Sequence, residues 1–426
     1  MIASRSRSGL LATLLAGQFM ANMDITIANV AAPSIQRSLH ASGTALELAV
    51  SGYVLAYGVL FIASARMGRL FGYGRLFVGG LCGFTLASLA CALAPDPRAL
   101  ILARVFQGGF AASMVAQVLT GIALAFSGAE RARAIGLWGV ALSLAAVAGQ
   151  VLGGLLVSAN IFGTTWRPVF LINVPIGVVL ALLAFAYLPM QSGDNRARCD
   201  VRALWPLVDS AVLGHPAIRW GLTGYGMSLS IYFSLLFVIA LYLQHGHQKS
   251  AFYSGLTMLS WVAAFGLAGF VLPRLLGSTV KKLAPAGALL IAASTAAVSV
   301  LLWHGALSEG ALVALLGLGG FGLGTLSNAT MTTLTSAVPT QFAADVSGLA
   351  GTNVPVSGAL GIALFGTAYL ALVVRADSDR ALAIVSAAYA VLALASALAA
   401  YRSLRPTAAK QLDANWRGGA AKHEPS

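Results

Sequence analysis

Twelve apolar stretches, each long enough to cross a bilayer, follow one another at 9–33, 46–66, 76–95, 99–125, 133–158, 166–189, 217–244, 251–276, 283–304, 310–337, 344–374 and 380–401. A spanning helix needs about 20 predominantly apolar residues. In hydrocarbon every peptide N–H and C=O must be satisfied inside the protein, so such segments are helices or strands of a closed barrel. None alternates apolar and polar positions over about ten residues, as a barrel strand does. The expected fold is therefore all-α, with twelve transmembrane helices. Composition points the same way: 58% of residues are hydrophobic and 9% charged, against roughly 45–50% and about 25% in soluble domains.

The formal charge of +13 would suit a nucleic-acid partner, but its placement argues for membrane topology. With the N-terminus in the cytoplasm, nineteen of the 26 Lys and Arg residues fall on the cytoplasmic side and six on the outer side, with Arg104 inside a helix. By the positive-inside rule both termini are cytoplasmic, and the basic balance serves anionic lipid heads rather than DNA. The longest connection, around Asp194, Arg196, Arg198, Asp200 and Arg202, separates six helices from six. The expected organisation is an N-terminal six-helix bundle (1–189), a cytoplasmic central loop (190–216), a C-terminal six-helix bundle (217–401) and a disordered cytoplasmic tail (402–426). Two pseudo-symmetric bundles of this kind place a site between them near the midplane. Cys82 and Cys91 lie about 13 Å apart along one helix, too far for a disulfide. The first helix is too long for a signal-peptide core and is read as retained.

Polar residues inside apolar segments carry the functional reading. Asp24 is the only acid deep within a spanning stretch, at a cost of about 2.5–3.5 kcal/mol on insertion scales. It lies about 14 Å below the outer end of helix one, and Arg104 about 8 Å into helix four from the same side. Any fold that joins helices one and four brings the two charges into range. Gln18, Asn22, Thr26 and Asn29 span about 80° of helix one, with Asp24 almost opposite. Glu47 opens helix two at the outer interface, where water or the helix N-terminus can take its charge. Ala145, Gly149 and Gly153 form a small-residue seam that fits either tight packing or a sliding contact. His245 and His247 form a bare H-x-H, too few ligands for zinc. The chain has no phosphate-binding loop, nucleophile elbow or H-E-x-x-H, so neither an enzyme nor an ATP-driven pump is expected, and no cofactor or metal.

Several motifs resemble the major facilitator superfamily: "MDITIANVAAPSI" (23–35), "ILARVFQGGFAAS" (101–113), "AVAGQVLGG" (146–154), "FLINVPIG" (170–177) and "SGLAGTNVPVSGALGIALFGT" (347–367). Within it they look most like the EmrB/QacA-type drug:proton antiporters, with twelve rather than fourteen helices. The resemblance implies the major facilitator fold, with Asp24 and Arg104 as the proton-coupling pair. It also implies a central cavity lined by helices one, four, seven and ten. Substrate contact is then expected from Gln18, Asn22, Thr26, Asn29, Tyr53, Gln107, Gln117, Tyr225, Tyr232 and Asn328. Two motifs depart from the family pattern. The loop Gly68, Arg69, Gly72, Arg75 carries an arginine where the family has an aspartate. In helix five the family Gly-Pro becomes Gly149-Gln150, with Ala145 in place of the leading glycine.

The implied function is proton-coupled export of small amphipathic compounds by alternating access, from a bacterial inner membrane and as a monomer. Its partners would be a small-molecule substrate, protons and the lipid bilayer, with no nucleic acid. A uniporter or symporter of one metabolite, and a non-transporting sensor on the same scaffold, are the alternatives.

Overall fold

The computed structural model describes residues 4–190, 216–276, 279, 282–336 and 343–404. Twelve of the described helices are long and apolar enough to cross a membrane. They are α1 (Ser4–Leu39), α2 (Gly43–Phe71), α3 (Tyr73–Leu93), α4 (Pro97–Ala125), α5 (Gly128–Ala159) and α6 (Pro168–Tyr187, broken at Ile172). The second half adds α7 (Pro216–Gly246), α8 (Ala251–Leu276), α9 (Ala284–Trp303), α10 (Glu309–Ser336), α11 and α12 (Ser378–Ser403). α11 runs through Ala343–Gly361, a π-helical turn at Ile362–Gly366, and Thr367–Val373. The expected central loop and tail fall almost entirely outside the described residues.

Local chemistry sets the helix ends. Ser42 accepts from the Ala45 N–H at 3.2 Å to cap α2. Asp96 accepts from the Ala99 N–H at 2.9 Å, with Pro97 in the first helical position of α4. Asp377 does the same for α12, from the Arg380 N–H at 2.7 Å. Each side-chain oxygen satisfies a donor that a helix start leaves unpaired. Gly72 joins α2 to α3 at φ +90°, a conformation that a side chain would strain.

The largest departure from the expected helix boundaries is at the end of α1. Pro33 lies inside α1, which continues to Leu39. Proline there removes the hydrogen bond to the carbonyl of residue 29 and crowds that carbonyl, yet the helix continues past it.

The packing repeats six helices on. In the first half α2 packs on α4, α3 on α4, α1 on α5, and α3 and α1 on α6. In the second half α8 packs on α10, α9 on α10, α7 on α11, and α9 and α7 on α12. The two sets meet chiefly where α5 lies on α8 and α2 on α11, the same pairing taken twice.

Large apolar side chains such as Leu86, Leu124, Leu182 and Val391 are exposed on the outside, as a lipid-facing surface requires. By contrast α7 is buried over nearly its whole length. It is the central helix of the second set, packed on α1, α8, α10, α11 and α12.

The face at which α1 and α7 begin is called the basic face below. At the opposite face the seam between the sets is sealed. Gln244 Nε2 donates to the Val30 carbonyl at 2.9 Å, and a His245 ring nitrogen lies 3.2 Å from the Pro33 carbonyl. The Phe252 N–H donates to Ser158 Oγ at 3.0 Å. Between α2 and α11 the contact runs from Glu47 on Thr367 down to Gly58 on Pro355.

Candidate functional site

Asp24 is fully buried in the middle of α1, where α4 and α6 converge on it. Arg104, also fully buried, places Nη1 directly on Asp24 Oδ2. Asn173 Nδ2 donates to Asp24 Oδ1 at 2.8 Å, and Gln107 Nε2 donates to the same oxygen at 3.0 Å. Every contact to the acid is a donor, the arrangement that satisfies a carboxylate in a low-dielectric interior. Arg104 and Gln107 reach it together because residues three apart share a helix face.

A second tier holds these donors in place. Arg104 Nη1 also donates to Gln107 Oε1 at 2.7 Å, fixing which end of the amide faces Asp24. Arg104 Nε donates to the Ala49 carbonyl of α2 at 3.2 Å. Ser88 Oγ accepts from Gln107 and Asn173, at 3.1 and 3.0 Å, and donates to the Phe170 carbonyl at 2.9 Å. The guanidinium lies over the Tyr53 ring, 4.3 Å from its centroid, and 5.4 Å from that of Phe170. Tyr53 in turn donates its hydroxyl to the Ala21 carbonyl at 3.0 Å. Arg104 Nη2 and Asn173 Oδ1 find no partner among the described residues. The cluster can therefore take one more acceptor and one more donor without dismantling the rest.

The depth argument from sequence matches this geometry: Asp24 and Arg104 are in contact. Two residues assigned to cargo stand elsewhere. Gln107 and Tyr53 belong to the charged cluster, with Gln107 holding the acid and Tyr53 covering the guanidinium. Asn173 and Ser88 were missed. Each is an isolated polar residue in an apolar segment, and Asn173 lies inside the "FLINVPIG" motif, which was the one signal that could have found it.

Two residues of the α1 polar stripe, Gln18 and Thr26, turn away from Asp24 and meet α5. Gln18 Oε1 accepts from Trp138 Nε1 at 3.0 Å, while Thr26 packs on Gly149. Asn22 and Asn29 donate to carbonyls of their own helix, at Gln18 and Ile25. Asn29 Oδ1 is unpartnered among the described residues. Gln117 Nε2 ties α4 to the Ser64 carbonyl of α2 at 2.8 Å.

In the second set Tyr225 and Tyr232 are buried, with Tyr232 against Phe233, Trp261 and Phe265. Asn328 is half-buried and donates to the Gly324 carbonyl at 2.8 Å. Asp24, Arg104, Gln107 and Tyr53 are thus brought together, and the remaining expected contacts are spread over four helices.

The α5 seam resolves into two faces. Ala145 is buried, and a Cβ on Gly149 would sit 1.9 Å from Thr26 Oγ1 and 2.6 Å from the Met23 carbonyl. Gly153 meets Ile27 in the same way, so these residues clamp α5 to α1. Gln150 and Gly154 face α8 instead. A Cβ on Gly255 would lie 2.2 Å from the Gln150 carbonyl. Gln150 is fully buried, and neither polar atom of its side chain meets a partner among the described residues.

Glu47 needs a correction as well. It is 5% exposed and bonded to Thr367, while Ser42 caps α2 in its place. The expected loop motif is helical apart from Gly72: Gly68 lies inside α2 beneath Gln117, and Arg75, inside α3, donates Nε to the Met190 carbonyl at 2.9 Å. The Arg69 side chain falls outside the described set. No cluster of three metal-ligating side chains occurs among the described residues.

The pattern that defines the Major Facilitator Superfamily matches residues 14–362. A probable actinorhodin transporter of Streptomyces coelicolor is 30% identical over 417 residues, spanning 85% of this chain and 72% of that protein. The methylenomycin A resistance protein of the same organism is 28% identical, spanning 93% and 92%. The drug efflux pump JefA of Mycobacterium tuberculosis is 29% identical, spanning 87% and 81%. Among solved structures, a bacterial homolog to the human lysosomal transporter Spinster, inward-facing and occupied, superposes with a TM-score of 0.74. It is 16% identical, and the match covers 94% of this chain and 97% of that one.

Proposed function

This chain belongs to the Major Facilitator Superfamily, and on that premise we propose that it is a proton-coupled exporter of small amphipathic compounds. The observation that carries this reading is the buried Asp24 carboxylate with Arg104 in direct contact. An ionisable group at that depth is a functional site by default. Protonating Asp24 would remove the charge that holds Arg104 Nη1, and the guanidinium would turn to the other acceptors within reach. The paired and neutral forms thus favour different arrangements of α1, α4 and α6, the link that coupling requires. The two six-helix sets are the bodies that rock against each other, with cargo between them.

The basic face is assigned to the cytoplasm of a bacterial inner membrane, since most Lys and Arg residues lie there. The relatives' export and resistance roles support efflux of organic compounds, and the motifs support the EmrB/QacA-type subfamily.

Asp24→Asn keeps the size of the side chain and removes the proton site. In proteoliposomes it should abolish cargo flux driven by a pH gradient. Exchange of cargo down its own gradient should survive. Full pH-driven flux in this variant would sink the reading.

A further inference from the structure

Glu47 stands in the second turn of α2 and faces the other set of helices. Thr367 Oγ1, on α11, lies 2.7 Å from Glu47 Oε2, a bond that joins residues 320 apart across the seam. Glu47 Oε1 has no partner among the described residues. The π-helical turn at Ile362–Gly366 ends immediately before Thr367 and presses Gly366 against this oxygen, where a Cβ would lie 3.3 Å away. Such turns recur at functional positions in helices.

Among the described residues no cation balances the carboxyl group. None of the ion pairs between described residues includes Glu47. On α1, Asp24 is taken up by Arg104, and the exposed Arg37 turns to the Pro33 carbonyl. On α4, Arg104 is held by Asp24 and Ala49, and Arg98 is exposed. α3 contributes Arg75, bonded to the Met190 carbonyl at the basic face. α11 contributes the buried Tyr369, the exposed Arg375 past its end, and Asp345, about 33 Å away along the helix axis. An ionised carboxylate buried without a counter-charge is expensive, and the group takes a proton instead.

We propose that Glu47 is a second proton site, set in the seam, and that its protonation closes the face opposite the basic one. While α2 and α11 touch, the carboxyl is neutral and bonded to Thr367. When they part, water reaches it, the carboxyl O–H bond breaks, the proton passes to water and a hydrated carboxylate remains. The closed form thus holds one more proton than the open form, so falling pH favours closure. By linkage the closed-to-open ratio changes by up to about tenfold per pH unit. The inference rests on the two sets opening and closing as proposed above, but not on Asp24 as the coupling acid.

Spin labels at Ser38→Cys and Ala306→Cys, with the native cysteines replaced by serine, would report the width of this face in lipid nanodiscs. Pulsed dipolar measurements from acidic to mildly alkaline pH should show the short-distance population growing as pH falls. Glu47→Gln, which imitates the neutral acid, should hold that population high and flatten its pH slope, fully so when combined with Asp24→Asn. Thr367→Val, which keeps the packing and loses the bond, should lower it at every pH while preserving the slope. Asp24→Asn should leave the pH dependence in place.

A pH profile as steep in Glu47→Gln as in the unsubstituted protein, or one that vanishes in Asp24→Asn alone, would overturn the proposal. So would a distance that ignores pH in the unsubstituted protein. None of these results alters the cargo-flux test of Asp24, so the two readings fail separately.

Discussion

At the scale of single residues the central fact is that Asp24 and Arg104 neutralise each other where neither could be hydrated. Removing one partner of a buried pair leaves an uncompensated charge and costs about 3–5 kcal/mol, whereas removing both is far milder. Arg104→Leu should therefore lower the thermal unfolding temperature strongly, and Asp24→Asn combined with Arg104→Leu should recover much of the loss. If the double variant were as unstable as the sum of the two singles, the pair would not be the coupled unit described here. The pairing itself was legible because two charges at similar depth, in helices that start and end on one side, have few other places to go. Asn173 and Ser88 were not legible. A lone amide or hydroxyl in an apolar run satisfies itself equally well on its own helix, as Asn22 and Asn328 do. Only the meeting of α3, α4 and α6 turns two such residues into supports of an acid on α1.

At the scale of helices, small residues decide how closely backbones approach. The α1–α5 contact is built on Gly149, where any Cβ collides with Thr26 and the Met23 carbonyl. Overpacking of this kind costs about 1–3 kcal/mol, so Gly149→Ala should destabilise the protein. Gly79→Ala is the matched control, since nothing lies within 4 Å of a Cβ there. In a helix interior that change should be neutral, or stabilising by up to about 1 kcal/mol. Unfolding temperatures of the two variants in one detergent would decide the matter, and equal shifts would refute the packing account. Sequence spacing exposed this seam but not which helix it meets, because small residues carry no direction of their own. The end of α1 was misplaced for a related reason. Proline removes a hydrogen bond, and around Pro33 the helix is held from α7 through Gln244 on Val30 and His245 on Pro33. Glu47 was misread because its burial comes from a helix more than 300 residues later in the chain.

At the scale of the whole molecule, the repeated packing order makes two bodies of similar build, and the proposed alternating access requires that their seam open. The α5–α8 contact offers a way to hold it shut. The Phe252 N–H lies 3.0 Å from Ser158 Oγ, which places the two Cα atoms within about 7 Å of each other. A disulfide needs about 4.4–6.8 Å between Cα atoms, so Ser158→Cys with Phe252→Cys should cross-link the sets under mild oxidation. A bond there ties the closed face without touching Asp24, Arg104 or the polar stripe of α1. Cargo flux in proteoliposomes should fall to background on oxidation and return on reduction, while either single cysteine should leave it unchanged. Undiminished flux through a fully cross-linked protein would mean that this seam never has to part. The two sets would then not work by opening at that face, whatever Asp24 does with its proton.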